Sequence, residues 1–208
     1  MLVWKGLALI FFTLLYGCEG NQNFFAGKGP QAYEIVKLWW TLFAIAVFVT
    51  LTVSFFLVKG AIKSDRTKVI DDQALGKGLV YGIAGTVSLL LLIIFSTLRL
   101  GHAPSHSQDS YEIKIVGKMW WWQVYYYDRK GKYLFETANE IVIPTNRSVR
   151  LKLLSDTVIH SFWVPALAGK VDMLPGRENY LVLKANEEGE FRGQCAEFCG
   201  TQHALMSF

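Results

Sequence analysis

The sequence predicts two membrane-spanning helices followed by an all-β sandwich domain, and two observations carry this fold class. Residues 39–58 and 79–98 each run for 20 residues without a charged side chain, the length that an α-helix needs to cross the hydrocarbon core of a bilayer. From residue 111 onward, short runs alternate between apolar and polar side chains and are separated by turn residues, which is typical of half-buried strands.

The first element is a predicted signal peptide over residues 1–17. Lys5 precedes an apolar run that is too short to span a bilayer, and this order is typical of secretory signals. Residues 15–18 (LYGC) are also similar to a bacterial lipobox, in which Cys18 would be the lipidated mature N-terminus, although Tyr16 is larger than the residue usually found there. The alternative is an ordinary signal peptide with an unmodified cysteine.

Residues 18–100 are predicted to form the membrane anchor, and their charges set its orientation. The stretch 59–78 between the spans carries five lysines or arginines against three aspartates, whereas residues 19–37 hold two lysines. By the positive-inside rule, the loop lies in the cytoplasm and both termini lie outside. The C-terminal domain is therefore expected in an oxidising compartment.

The exported domain, residues 111–208, follows a short polar linker at 101–110. His102 and His106 are interpreted as part of this linker, and an H-x3-H metal pair is the alternative. The predicted strands are 112–117, 123–127, 141–144, 149–153 and 180–183. Many short strands separated by turns favour an antiparallel sandwich. Three consecutive tryptophans, 120–122, cannot all face one side of a strand, so at least one should point away from the interior.

The residues that carry chemistry lie near the end of the chain. Cys195, Cys199, His203 and Met206 follow a C-x3-C-x3-H-x2-M spacing, and His160 lies upstream. Thiolate, thioether and imidazole ligands select copper over magnesium, calcium or manganese. A single cysteine would indicate a mononuclear blue-copper site, whereas two thiolates can bridge a pair of metal ions. The set therefore favours an electron-transfer copper site.

Two other interpretations of these residues stay open. The cysteines would form a disulfide in an oxidising compartment, or they would join both histidines in a tetrahedral Cys2His2 zinc site. A disulfide leaves the histidines without a role, and zinc leaves Met206 without one. The full five-donor set is more specific than an isolated C-x3-C.

Three stretches resemble cytochrome c oxidase subunit II, the copper A-containing subunit of bacterial haem-copper oxidases. They are residues 193–200 (GQCAEFCG) with His203 and Met206, residues 160–165 (HSFWVP) with 170–177 (KVDMLPGR), and the aromatic run 120–127. The resemblance covers about residue 39 to the C-terminus and implies a cupredoxin-like Greek-key sandwich. The family normally continues into at least one further strand, so a longer natural product is expected.

The resemblance also implies roles for the copper ligands. Two coppers would be bridged by Cys195 and Cys199, bound singly by His160 and His203, and weakly ligated by Met206 and the Glu197 backbone carbonyl. The side chain of Glu197 would help to hold a magnesium ion at the interface with subunit I. Trp120 would be the residue that receives electrons from the donor. Lys118-Met119 stands where the family often has a histidine or glutamine before this tryptophan, which leaves the details of docking open.

With these features, the resemblance implies the electron-accepting subunit of cytochrome c oxidase in a bacterial inner membrane, with its copper domain on the periplasmic face. The chain would take electrons from a c-type cytochrome and pass them to haem in subunit I for reduction of oxygen to water, coupled to proton translocation. Its four histidines are too few for two haems and a third copper, so oxygen is reduced on another subunit. The predicted partners are subunit I, other oxidase subunits, the cytochrome and membrane lipid, with no nucleic acid.

Two other functions remain as alternatives. A quinol oxidase subunit II has the same fold without the copper pair, and the presence of all five side-chain donors argues against it. A membrane-anchored copper-delivery protein would also use C-x3-C with a distant histidine, but usually on a thioredoxin-like α/β domain. The strand-rich pattern and Met206 argue against that second function.

Overall fold

The computed structural model describes residues 20, 22–62, 72–101, 111–128 and 130–208. The predicted signal peptide, Cys18, residues 63–71 of the loop between the spans, and residues 102–110 of the linker with His102 and His106 lie outside these residues. The chain divides into two compact units. One is Lys37–Ala103, and the other combines Met1–Val36 with Pro104–Phe208.

Two long helices contain the predicted spans, α1 (Pro30–Ile62) and α2 (Asp72–Gly101). Both are long and apolar enough to cross a membrane, and none of the apolar window of either helix is buried. The core helix of a soluble protein would bury such side chains, so these surfaces favour contact with lipid. Both helices extend beyond the predicted spans at each end. The first helix begins at Pro30, and proline suits the first position of a helix.

Four hydroxyl groups within these helices are satisfied by the helices themselves. Each donates to the carbonyl four residues earlier, namely Thr41 (2.9 Å), Thr86 (2.9 Å), Ser96 (2.8 Å) and Thr97 (2.9 Å). An unsatisfied polar group would be costly in hydrocarbon. Back-bonding of this kind therefore allows serine and threonine to remain inside a membrane span.

In the described part of the β domain, residues 111–128 and 130–208, eight strands form two sheets. The strands are β1 (Tyr111–Lys118), β2 (Trp121–Tyr127), β3 (Tyr133–Ala138), β4 (Val149–Ser155), β5 (His160–Trp163), β6 (Val171–Met173), β7 (Asn179–Leu183) and β8 (Gln194–Cys195). The larger sheet has the order β3-β2-β1-β4-β7, and the smaller has β6-β5-β8. The predicted fold class, two helices followed by an all-β two-sheet domain, is confirmed.

Strand β4 shows how the alternating pattern builds the core. Val149, Leu151 and Leu153 are fully buried, whereas Arg150 and Lys152 point to the other face and pair with carboxylates. Burial of each such apolar side chain contributes roughly 1.5–3 kcal/mol. The neighbouring strands supply the next rows of the core, Ile113, Ile115, Trp122 and Val124.

Two details of the predicted sandwich were wrong. The sheet is not antiparallel throughout, because β1 and β4 run parallel, with β2 and β3 lying between them in sequence. Residues 141–144 do not form a strand. The Val142 N–H donates instead to the Tyr126 hydroxyl at 2.8 Å, and Pro144 has no N–H to give to a ladder.

The segment before α1 is bound to the β domain. The N–H groups of Lys28 and Gly29 donate to the Ala166 carbonyl at 2.7 and 3.1 Å, and that of Ala32 donates to the Leu167 carbonyl at 3.3 Å. A Cβ on Gly29 would lie 2.3 Å from the Leu167 carbonyl oxygen, so a larger residue does not fit here. The first turn of α1 is thereby tied to the loop that follows β5.

Candidate metal centre

Two paired strands and the C-terminal segment bring the predicted donors together. His160 begins β5 and Cys195 ends β8, which is antiparallel to β5. Cys199 lies in the loop after β8, and His203 begins a short 3-10 helix, His203–Leu205. The Cys195 N–H donates to the Met206 carbonyl at 2.9 Å, which returns the end of the chain to the cysteines.

The two cysteine sulfurs lie at the middle of the cluster, 3.7 Å apart. His160 Nδ1 is 3.7 Å from Cys195 Sγ, and His203 Nδ1 is 3.5 Å from Cys199 Sγ. Met206 Sδ is 3.8 Å from Cys199 Sγ. Each cysteine therefore has its own histidine, and the thioether lies beside the second cysteine. All five predicted side-chain donors are brought together.

The alternative disulfide does not fit this geometry. Both cysteines are free and buried, and their separation of 3.7 Å is far above the roughly 2.05 Å of an S–S bond. The donor atoms of His160, Cys195 and Cys199 lie within 4.8 Å of one another. Sulfur and imidazole nitrogen at these distances fit a soft metal such as copper better than magnesium or calcium.

Burial sets the protonation of the cluster. His160 is fully buried, and Cys195, Cys199 and Met206 are 3%, 2% and 1% exposed. Burial, and to a lesser extent the charge of His203, lowers the pKa of His160. Burial and the neighbouring Cys195 raise the pKa of Cys199 to about 12. Without metal the thiol is protonated, so a metal that binds the thiolate has to displace this proton.

Glu197 presents its backbone and its side chain to different surroundings. Its carbonyl oxygen lies 3.1 Å from Cys195 Sγ. Its carboxylate is exposed and accepts a hydrogen bond from the Phe198 N–H at 3.2 Å. The carbonyl is therefore close to the donor cluster, while the carboxylate is available to a group outside the domain.

Trp120 contacts the cysteine loop directly. Its indole Nε1 donates to the Cys199 carbonyl at 3.1 Å. The same ring covers Gly200, where a Cβ would lie 3.1 Å from ring atoms and where φ is +120°. Of the three consecutive tryptophans, Trp122 is fully buried and Trp121 is half-buried on the other face of β2. The expectation that at least one would point away from the interior is confirmed.

Gly193 and Phe208 join the C-terminal segment to the start of β8, and this contact was not predicted. Their backbones exchange two hydrogen bonds of 3.0 Å, and a Cβ on Gly193 would lie 2.0 Å from the Phe208 ring. That ring stacks on Phe162 with centroids 5.1 Å apart. The contact between Gly193 and Phe208 holds Met206 near the cysteines. In the sequence, only the glycine two residues before Cys195 indicates this contact.

Comparison with known proteins finds a matching family model and several similar chains. The family model described as cytochrome c oxidase subunit II, periplasmic domain, matches residues 129–208. A cytochrome c oxidase subunit 2 from Alkalihalophilus pseudofirmus is 33% identical over 227 residues, covering 100% of this chain and 65% of the relative. The chain thus spans just under two thirds of that relative's length.

A second relative and a solved structure carry the same description. The cytochrome c oxidase subunit 2 of Metridium senile is 30% identical over 197 residues, covering 85% of this chain and 79% of the relative. The periplasmic domain of subunit II of cytochrome oxidase from Bradyrhizobium japonicum is 36% identical. It covers 50% of this chain and 83% of its own, with a TM-score of 0.45.

Proposed function

This chain belongs to the cytochrome c oxidase subunit II family, and from that membership we propose that it is the electron-accepting subunit of a haem-copper oxidase. It takes electrons from a c-type cytochrome and passes them to haem in subunit I, where oxygen is reduced to water with coupled proton translocation. The observation that carries the proposal is the pair of free, buried cysteines 3.7 Å apart, each beside its own histidine.

The donor set supports a binuclear copper cofactor. Cys195 and Cys199 would bridge the two ions, with His160 and His203 binding one each. When bound, two coppers that share one unpaired electron supply a one-electron acceptor that needs little ligand rearrangement. The weak ligands would be Met206 and the Glu197 carbonyl, which lie 3.8 and 3.1 Å from a cysteine sulfur. The fold excludes water from most of these donors, since the side-chain donors other than His203 are at most 3% exposed.

Trp120 is the residue through which electrons reach the site. This assignment is supported by its partial exposure and by the hydrogen bond from its indole to the Cys199 carbonyl. The bond and the contact with Gly200 connect an accessible aromatic ring to the backbone of a cysteine.

The electron donor docks without strong long-range attraction. The domain from residue 101 holds 12 acidic and 12 basic residues. Two carboxylates that would otherwise attract a basic cytochrome are paired with lysines, Asp156 with Lys118 at 3.2 Å and Glu178 with Lys152 at 2.6 Å. Because paired charges produce little field at a distance, a membrane-held or permanently attached cytochrome suits this domain.

The chain is anchored in a bacterial inner membrane with its copper domain on the periplasmic face. Two apolar helices support the anchoring, and the basic stretch between the spans supports the orientation. The exposed carboxylate of Glu197 would help to hold magnesium where the domain meets subunit I. Phe198 beside it is 74% exposed, as expected of an apolar side chain that a neighbouring subunit covers.

Electron paramagnetic resonance of the purified oxidase, or of the full chain reconstituted with copper in detergent, tests the proposal. The expected spectrum shows one unpaired electron distributed over two copper nuclei. Cys195→Ser and Cys199→Ser should each abolish it, because serine offers no soft bridging sulfur. Ser207→Ala is the matched control: it changes a hydroxyl next to Met206 and should keep the spectrum.

Three results would count against the proposal. A signal from isolated cupric ions in the unaltered protein would indicate a mononuclear or carrier site. Stoichiometric zinc with no copper would favour the tetrahedral site instead. Retention of the two-nucleus spectrum in either cysteine variant would show that the sulfurs are not the bridging ligands.

A further inference from the structure

Gly117 occupies an inward-facing position of β1 that would ordinarily carry an apolar side chain. The buried positions of this strand are Ile113, Ile115 and Gly117, so the row of core residues ends at a glycine. The space beyond its Cα is filled by the ring of His160. A Cβ on Gly117 would lie 2.9 Å from His160 Cδ2, 3.0 Å from Cγ and 3.3 Å from Cβ.

The contact involves one particular side of the imidazole. Cδ2 and Nδ1 lie on opposite sides of the axis through Cβ and Cγ, and the Cδ2 side rests on Gly117. The Nδ1 side consequently faces Cys195 Sγ, 3.7 Å away. A half-turn of the ring would exchange the two sides and would point carbon instead of nitrogen at the sulfur.

Packing has to help hold this orientation, because the second ring nitrogen, Nε2, makes no hydrogen bond among the residues described. Histidines that bind metal usually donate their second ring nitrogen to a carboxylate, a carbonyl or a water, which fixes the ring. His160 Nε2 is buried and has no hydrogen-bond partner in the described chain. The ring is instead confined by Gly117 on one side and by Trp122, whose ring centroid is 6.2 Å away.

The backbone of Gly117 is itself held rigidly. It lies between two strands, opposite Trp122 of β2 and opposite Ser155 of β4, and its carbonyl accepts a hydrogen bond from the Asp156 N–H at 3.1 Å. A side chain added here would therefore displace the imidazole more readily than the strand.

We propose that Gly117 is a positioning residue of the metal centre, whose missing side chain fixes the His160 ring with Nδ1 towards the cysteine pair. The role of Gly117 at a copper site rests on the proposed function. The steric contact between Gly117 and the His160 ring does not depend on it. The three atoms nearest to a Cβ on Gly117 all belong to His160, so its effect is exerted through His160.

Gly117→Ala in the full chain tests the proposal. The added methyl should force the ring out of its present position, so that Nδ1 no longer meets Cys195 Sγ in the same geometry, lowering copper affinity by about tenfold or more, as loss of an orienting partner does elsewhere. The visible and electron paramagnetic resonance spectra should change with it. Gly169→Ala is the matched control, because its Cβ would meet Ile35 Cδ1 at an ordinary 3.6 Å. Copper affinity and spectra equal to those of the unaltered chain in Gly117→Ala would overturn the proposal.

A stability cycle without metal covers the case in which Gly117→Ala folds poorly. If the imidazole is what the methyl meets, Gly117→Ala should destabilise the chain but should be tolerated in the His160→Ala background, where the ring is absent. Equal destabilisation in both backgrounds would show that the strand needs glycine for itself and would reject the proposal. Because this cycle uses no copper, its result is independent of whether the binuclear site exists.

Discussion

At the scale of single residues, Trp120 combines a partly exposed ring with a hydrogen bond to the cysteine loop. Trp120→Phe keeps an aromatic ring but removes the donor to the Cys199 carbonyl, which should cost about 0.5–1.5 kcal/mol of unfolding free energy. Reduction of the copper site by a ferrocytochrome, followed by stopped-flow absorbance, should become slower. Trp121→Phe, on the opposite face of β2, should leave the rate unchanged. Equal rates in the two variants would remove Trp120 from its proposed role.

Met206 offers a second test of a single residue. Met206→Leu nearly conserves volume, so it should cost less than about 1.5 kcal/mol in stability while removing the thioether 3.8 Å from Cys199 Sγ. A weak axial ligand tunes the redox potential of a copper site, so the potential measured by spectroelectrochemistry should shift. Met173→Leu is the control, because Met173 is equally buried but pairs with His160 only through its strand. A shift of the same size in both variants would assign the effect to packing.

The donor atoms of the site could be predicted because metal chemistry restricts residue type and spacing. Cys195, Cys199, His203 and Met206 lie within 12 residues, so a short pattern contains most of the set. The supports could not be predicted in this way. The ring of His160 occupies the space beside Gly117, and the ring of Phe208 occupies the space beside Gly193. These contacts form only when the sheets pack, and a glycine in a sequence does not show which side chain will lie beside it.

At the scale of elements, the segment before α1 makes a testable contribution to the β domain. Gly29→Ala would place a methyl 2.3 Å from the Leu167 carbonyl oxygen and should disturb the three backbone hydrogen bonds made there. Forced overpacking of this kind costs about 1–3 kcal/mol, measurable by denaturant unfolding of the full chain in detergent. Gly20→Ala has open space around its Cβ and should be neutral. Unchanged stability in Gly29→Ala would mean that the segment is not docked.

Elements differ in how far their pattern reveals them. α1, α2 and β4 were predicted because a charge-free run or a strict alternation extends over many residues. Strands β5, β6 and β8 have four, three and two residues, too few to display a period of two. The parallel pairing of β1 with β4 joins strands that are distant in sequence, so it is decided by the packed core and not by either strand alone.

At the scale of the whole molecule, the β domain has balanced charge, although capture of a basic cytochrome from solution favours an acidic excess. The net formal charge of the chain is +4, yet the domain from residue 101 is neutral because 12 acidic residues meet 12 basic ones. The positive excess therefore lies in residues 1–100, which include the basic stretch between the two apolar helices. The β domain therefore has no net charge with which to attract a soluble partner over a distance.

This balance predicts a weak dependence of electron uptake on salt. Between low and physiological ionic strength, the second-order rate constant for reduction by a strongly basic cytochrome c should change by no more than about threefold, because steering requires a net field. Lys118→Gln and Lys152→Gln would leave Asp156 and Glu178 without their lysines. The double variant should therefore react faster at low salt and lose that gain as salt is added. A rate that falls steeply with salt in the unaltered chain would instead show that an acidic docking surface is already present, and a soluble basic donor would then replace the membrane-held one.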